Sequence, residues 1–195
     1  MSADGKPAYG RAPWPTPDEL DPAQRAYYDA IVNSPRSRDE VMNAEGRLLG
    51  PFNARLLDPP VGTAIQGVGA ALRFRSVLTD REREFVILTV ARAEDSDFEW
   101  RAHREVALRI GITEGELGCI GAADAHWTPD PGEVACLELA RELLETADIS
   151  DDSFARAAEV LSLPKIFDVV SLVGHYRHTA LALRVWRVPA DPAGT

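Results

Sequence analysis

The feature that most narrows what this chain can fold into is a series of helix-start signals recurring along its length. Thr79-Asp80-Arg81-Glu82 and Thr113-Glu114-Gly115-Glu116 are capping boxes. In each, the first side chain accepts from a free helix N–H and the last reaches back to the cap's own N–H. Asp21-Pro22 and Asp130-Pro131 set a capping acid before proline at the first helical position, where the missing N–H costs nothing. Apolar residues follow these starts at helical spacing, as at Ala26, Tyr27, Ala30 and Ile31. The Ile/Val-rich runs from Phe85 to Val90 and from Val169 to Val173 lie inside longer windows of the same period, and no strand alternation with hairpin turns is found. The signals predict an all-α, single-domain bundle of about eight helices. They start after Asp21, cover 61–74, run from the Thr79 cap to 93, then cover 97–110. Further helices follow the Thr113, Asp130 and Ser150 caps, and the last spans 164–185. Gly50-Pro51-Phe52-Asn53 reads as a break, followed by a helical turn over 54–57.

The first 20 residues carry Pro7, Pro13, Pro15 and Pro17 without a helical period. They are expected to form an extended arm, whose Tyr9 and Trp14 suit a neighbouring subunit. Residues 21–189 then make up the helical domain and 190–195 a tail. At 195 residues with 45% apolar and 27% charged side chains, the chain can bury one sizeable core. A net charge of −10 with scattered arginines argues against nucleic acid as a partner, because phosphate backbones are bound by clustered Lys and Arg. No window is apolar enough to span a membrane, and the N-terminal stretch lacks the apolar centre of a secretion signal. A cytoplasmic location is expected. Cys119 and Cys136 stand far from any CxxC spacing and read as small buried residues of a reducing compartment.

The segment from Glu84 to His103 carries the candidate chemistry. Glu99 and His103 stand four apart, so on a helix their side chains share a face and can meet. Glu84 sits on the preceding helix among Phe85, Ile87, Leu88 and Ala91, and an acid on a face built for burial needs a partner. A carboxylate beside an imidazole holds one tautomer and readies the ring for proton transfer, and a second carboxylate can serve as the complementary acid or base. Spacing alone also allows a solvated Glu–His pair worth a few tenths of a kcal/mol, roughly 0.2–0.5. His175 and His178 lie three apart on the last helix, and one of them is expected to face inward. Arg73, at a helix end, either grips a substrate carboxylate or complements the helix dipole. His126 receives no role.

This segment resembles the core of the carboxymuconolactone decarboxylase / alkyl hydroperoxidase D-like superfamily. Redox members carry Glu, eleven residues, Cys-x-x-Cys, three residues, His. On this chain the glutamate falls on Glu84, the cysteines on Ser96 and Glu99, and the histidine on His103. Gly50-Pro51-Phe52-Asn53, Leu72-Arg73-Phe74, Ala107-Leu108-Arg109-Ile110-Gly111-Ile112 and Gly174-His175-Tyr176 also resemble the decarboxylase-like branch. The likeness extends over roughly residues 50–189.

The resemblance implies a lyase, a cofactor-free carboxymuconolactone decarboxylase-like enzyme acting by acid–base chemistry on a small cyclic carboxylate or lactone. His103 would be the proton donor, Glu99 its orienting group and Glu84 a second acid/base. Arg73, Ser96, Trp100 and His175 would be substrate-binding. It also implies a homo-oligomer (trimer, hexamer or dimer). Neither Ser96 nor Glu99 can form the sulfenic acid on which thiol-based peroxide reduction depends, so a peroxiredoxin-type activity is not expected. Two alternatives remain open: a metal enzyme using Glu84, Glu99, His103 and His175 as ligands, and a non-catalytic oligomeric scaffold.

Overall fold

The computed structural model describes residues 7–120 and 127–190. His126, the first residues of the arm and most of the tail lie outside them. The described residues form ten α-helices: α1 (Pro22–Val32), α2 (Arg38–Val41), α3 (Gly50–Ala54), α4 (Pro59–Phe74), α5 (Asp80–Ala93), α6 (Asp97–Arg109), α7 (Glu114–Cys119), α8 (Pro131–Thr146), α9 (Asp151–Val160) and α10 (Leu163–Val185). The protein is an all-α bundle. Both capping boxes form: Thr79 Oγ1 accepts from Glu82 N at 3.1 Å while Glu82 Oε2 accepts from Thr79 N at 2.7 Å, and Thr113 and Glu116 repeat the exchange. Asp21 and Asp130 accept from the first free N–H groups of α1 and α8.

Two stretches differ from the sequence expectation. Gly50-Pro51-Phe52-Asn53, read as a break, opens α3. Gly50 enters with φ +56°, which glycine allows without strain, and Pro51 stands in the first turn, where it needs no acceptor. The four-residue α2 was not anticipated, because one turn is too short to display a period.

Two compact units are present, and each takes part of α4 and part of α10. The first comprises residues up to Val68 and those from Leu181 onward. Here the proline-rich stretch forms a two-residue antiparallel hairpin, β1 (Ala8–Tyr9) with β2 (Ala12–Pro13). Gly10 turns it with φ +66° and lies so close to the Trp186 carbonyl that a Cβ would stand 2.2 Å from that oxygen. Tyr9 stacks on Trp14 with ring centres 4.9 Å apart, and Trp14 Nε1 donates to Leu48 O at 2.8 Å. Both aromatics are thus used inside their own unit. Its core is Tyr27, Tyr28, Ile31, Val41, Met42, Leu48 and Leu56.

The second unit, Gly69–Ala180, is organised around α5, whose residues from Glu82 to Ala91 are all buried. Val86, Ile87 and Val90 pack with Cys136, Leu139, Val169 and Leu172 on one side. Phe85 and Leu88 pack with Ala107, Ile112, Leu117 and Leu137 on another. A helix enclosed this way has no solvent face, so its polar side chains must be matched one by one. At its N-terminus Arg81 donates to Glu133 at 2.6 Å and to Glu116 at 2.6 Å, tying α5 to α8 and α7. Glu82 accepts from Lys165 at 2.6 and 2.8 Å, tying it to α10. These clamps fix α5 in rotation and height. No helix among the described residues is long and apolar enough to cross a membrane.

Candidate active site

Glu84 lies one turn below the capping box of α5, and His103 lies on α6, which packs alongside. His103 Nδ1 is 2.7 Å from Glu84 Oε2, and Nε2 of the same ring is 3.6 Å from Glu99 Oε2. Glu84, Glu99 and His103 are 2%, 5% and 6% exposed. The structure therefore brings these three sequence-predicted residues together, but with a different division of labour. The residue that holds the ring is Glu84, across the helix pair. Glu99, the expected orienter one turn away, stands at the other nitrogen beyond hydrogen-bond length. With a carboxylate at Nδ1, the ring N–H donates there and the carboxylate accepts, which fixes the tautomer and leaves Nε2 as the exchangeable position.

Arg83, missed in the sequence, completes the charge pattern. Only 9% exposed, it bonds Asp80 through Nη2 at 2.8 Å and sets Nε 3.5 Å from Glu84 Oε1. Its position inside the run Asp80-Arg81-Glu82-Arg83-Glu84 disguises it as surface charge. Tyr176 was also missed as a site residue. Its ring stands edge-to-face with His103 at 5.1 Å and with its neighbour His175 at 5.4 Å. Nothing in the sequence links positions 103 and 176 except the bundle itself.

The remaining candidates are placed as follows. Ser96 is buried at the N-cap of α6, with no hydrogen bond from its side chain to the helix. The preceding residue Asp95 has φ +49°, a left-handed turn that a short polar side chain tolerates. Trp100 packs on the Phe85–Leu88 cluster beneath the Arg92 guanidinium, 4.1 Å from its ring. Arg73 is half-buried at the end of α4, its guanidinium 5.6 Å from the Phe74 ring. His175 is half-buried and His178 exposed, so of the two it is His175 that turns inward. It lies against Gly69, where a Cβ would meet Nε2 at 2.8 Å. Among the described residues no three His, Cys, Asp or Glu side chains are grouped to hold a metal ion. Cys136 is fully buried, and burial pushes its thiol up to about 12. Cys119 is half-buried on α7. A cleft of about 430 Å³ between α8 and α9, lined by Pro131, Val134, Glu138 and Arg156 among others, does not include the Glu84–His103 cluster.

Comparison with known proteins agrees with this architecture. Residues 59–142, which hold α4 to most of α8, match the carboxymuconolactone decarboxylase family. The fold is similar to that of a protein of unknown function from Agrobacterium tumefaciens suggested to be the antioxidant defence protein AhpD. The TM-score is 0.64 at 15% identity, over 72% of this chain and 97% of that one. It is also similar to the debrominase Bmp8, solved as a cysteine-to-alanine variant in complex with 2,3,4-tribromopyrrole. There the TM-score is 0.65 at 11% identity, over 88% of this chain and 87% of that one. No curated protein sequence matches the chain.

Proposed function

We propose that this chain, whose residues 59–142 match the carboxymuconolactone decarboxylase family, is an enzyme of cofactor-free acid–base chemistry. The reaction is decarboxylation or isomerisation of a small cyclic carboxylate or lactone. The observation that carries this reading is the buried imidazole between two carboxylates, Glu84 at Nδ1 and Glu99 at Nε2.

In a decarboxylation the bond from ring carbon to carboxylate breaks, CO2 departs, and its electron pair delocalises as an enolate into the lactone carbonyl. His103, entering the step with protons on both ring nitrogens, then delivers its Nε2 proton to that carbon, is left as the neutral Nδ1–H ring, and is reprotonated at Nε2 from solvent. Glu84 keeps the ring oriented throughout, and Glu99 returns or withdraws the Nε2 proton. In an isomerisation the same Nε2 removes a proton from one carbon and restores it at another. Burial strengthens each of these interactions, because charge developing in a low-dielectric site is felt more strongly than in water. Ser96 and Glu99 stand where redox relatives carry cysteines, and a hydroxyl and a carboxylate cannot cycle through sulfenic acid and disulfide.

The test is a screen of carboxylated lactones against wild type and His103→Ala, following CO2 release and the shift of ring unsaturation by NMR. Turnover that falls about 10²–10⁴-fold in His103→Ala supports the assignment. Turnover unaffected by the substitution overturns it. If Glu99→Gln and His103→Ala leave every cellular phenotype intact while the assembly survives, the protein is a scaffold.

A further inference from the structure

We propose that a cleft of about 890 Å³ in the first unit, floored by Tyr28, Met42 and Leu49, binds an uncharged ring compound that carries a carbonyl oxygen. The cleft shares no residue with the Glu84–His103 cluster, and its assignment does not rest on the acid–base reading.

The first observation is the cavity itself. Small-molecule sites occupy roughly 300–1,000 Å³ and combine apolar walls with a few polar groups. Here Tyr28, Met42 and Leu49 are buried at the floor, and half-buried Trp14 and Pro17 stand at the sides. The second is the Tyr28 hydroxyl. Its hydrogen-bond partner among the described residues is Met42 Sδ, at 3.5 Å, and a thioether is a weak acceptor. Burial pushes the phenol above its ordinary value, so it keeps its proton and remains a donor. The third is that the walls are formed in advance. Met42 and Leu48 pair across the turn that joins them. Inside it Asn43 Oδ1 accepts from Glu45 N at 3.1 Å and from Arg47 N at 2.9 Å. Trp14 Nε1 is tied to Leu48 O at 2.8 Å. Gly46 occupies the turn at φ +77°, where a Cβ would stand 3.3 Å from the Tyr28 oxygen and 3.1 Å from Pro17 Cγ. Glycine therefore leaves the approach to the hydroxyl open.

The mouth of the cleft selects against charge. Arg38, Asp39 and Glu45 line it, all three exposed, so an ionic ligand of either sign meets a like charge there. The floor and sides carry no charged group. What the cleft rewards is burial of an apolar ring together with one hydrogen bond from Tyr28. A ring ketone or lactone supplies both, because its carbonyl oxygen is a better acceptor than the thioether it displaces. Walls fixed before binding keep the ordering cost of association small.

The experiment is a titration of the nitrogen-15-labelled full-length protein with acetophenone, ethylbenzene and benzoate. Binding is read from the Trp14 indole N–H and the Gly46 amide resonances, which separates this cleft from any other site. In wild type, acetophenone is expected to shift both resonances saturably, with a Kd about fivefold below those of ethylbenzene and benzoate, as one net hydrogen bond provides. Tyr28→Phe keeps the ring and removes the hydroxyl, so acetophenone and ethylbenzene should bind it equally. Ala44→Trp fills the cleft from an exposed position on its wall and should abolish the shifts, whether or not the Tyr28 variant folds. No saturable shift at Trp14 and Gly46 overturns the site, and so does undiminished binding to Ala44→Trp. Equal affinities of acetophenone and ethylbenzene for wild type, or a preference that survives in Tyr28→Phe, overturn the hydroxyl's part in it. Tighter binding of benzoate overturns the choice of an uncharged ligand.

Discussion

Glu84 on α5 grips Nδ1 of His103 on α6 at 2.7 Å, across two helices rather than along one. Glu99, at 3.6 Å from Nε2, is left facing the nitrogen that would exchange its proton. The two carboxylates are therefore not interchangeable. Glu84→Gln is expected to abolish the far-downfield Nδ1 proton resonance of His103 and to lower kcat about 10²-fold. Glu99→Gln should keep that resonance while still lowering kcat. Loss of the resonance in both variants, or in neither, would contradict the assignment.

Arg83 is expected to support this pair through charge. It is buried beside Glu84, with Nε 3.5 Å from the carboxylate, and its removal leaves a buried anion with one partner fewer. Arg83→Ala should therefore lower stability by about 1–3 kcal/mol, read from the urea midpoint. Arg83→Lys should recover part of that loss and Arg83→Met should not. Equal midpoints for Lys and Met would mean that only the packing of the side chain matters.

Gly69 should behave unlike an ordinary glycine within a helix. Replacement by alanine normally stabilises a helix by about 0.5–1 kcal/mol. Here the new methyl group would stand 2.8 Å from His175 Nε2, and such overpacking costs about 1–3 kcal/mol. Gly69→Ala should thus destabilise the protein, and in the His175→Ala background the same change should become neutral or favourable. A double-mutant cycle measures the coupling, and a coupling near zero would remove the contact from consideration.

Alkaline pH should weaken the fold. The Cys136 thiol rises from its ordinary 9.0 to about 12, and the Tyr27 phenol from 10.0 to about 12, each mainly through burial. Below about pH 9 both groups hold their protons in the folded and unfolded chain alike, and their contribution is fully present. Above it the unfolded chain releases protons that the folded one retains, so stability falls until the folded groups titrate near 12. The slope approaches about 1.4 kcal/mol per pH unit for each group. Unfolding midpoints between pH values of about 8 and 11 should show the fall, and Cys136→Ala should flatten its earlier part.

The helical frame was legible because its signals are local. Thr79 and Glu82, Thr113 and Glu116, and Asp130 before Pro131 announce their helices within four residues, and each cap forms as written. The division of roles in the site was not legible, for the same reason. The i,i+4 spacing sees Glu99 beside His103 but cannot see how α5 and α6 pack, and that packing puts Glu84 at Nδ1. Arg83 was hidden because a charge run reads as solvated until α5 is known to be enclosed. Tyr176 was hidden because no sequence pattern joins it to His103. The short hairpin at Ala8–Tyr9 depends on Gly10 meeting the Trp186 backbone, a contact made by residues 176 positions apart.

The enclosure of α5 has a consequence for how such a site can age and diverge. Ten consecutive buried residues leave no edge from which this stretch can fray on its own, and its amides should exchange with deuterium only through openings that cost most of the global unfolding free energy. The acid that holds the imidazole therefore lasts as long as the native state itself. Substitutions that alter the chemistry from α5 are at once substitutions in the core, so new reactivity is more readily gained from α6 and α10, whose outward faces leave room for change.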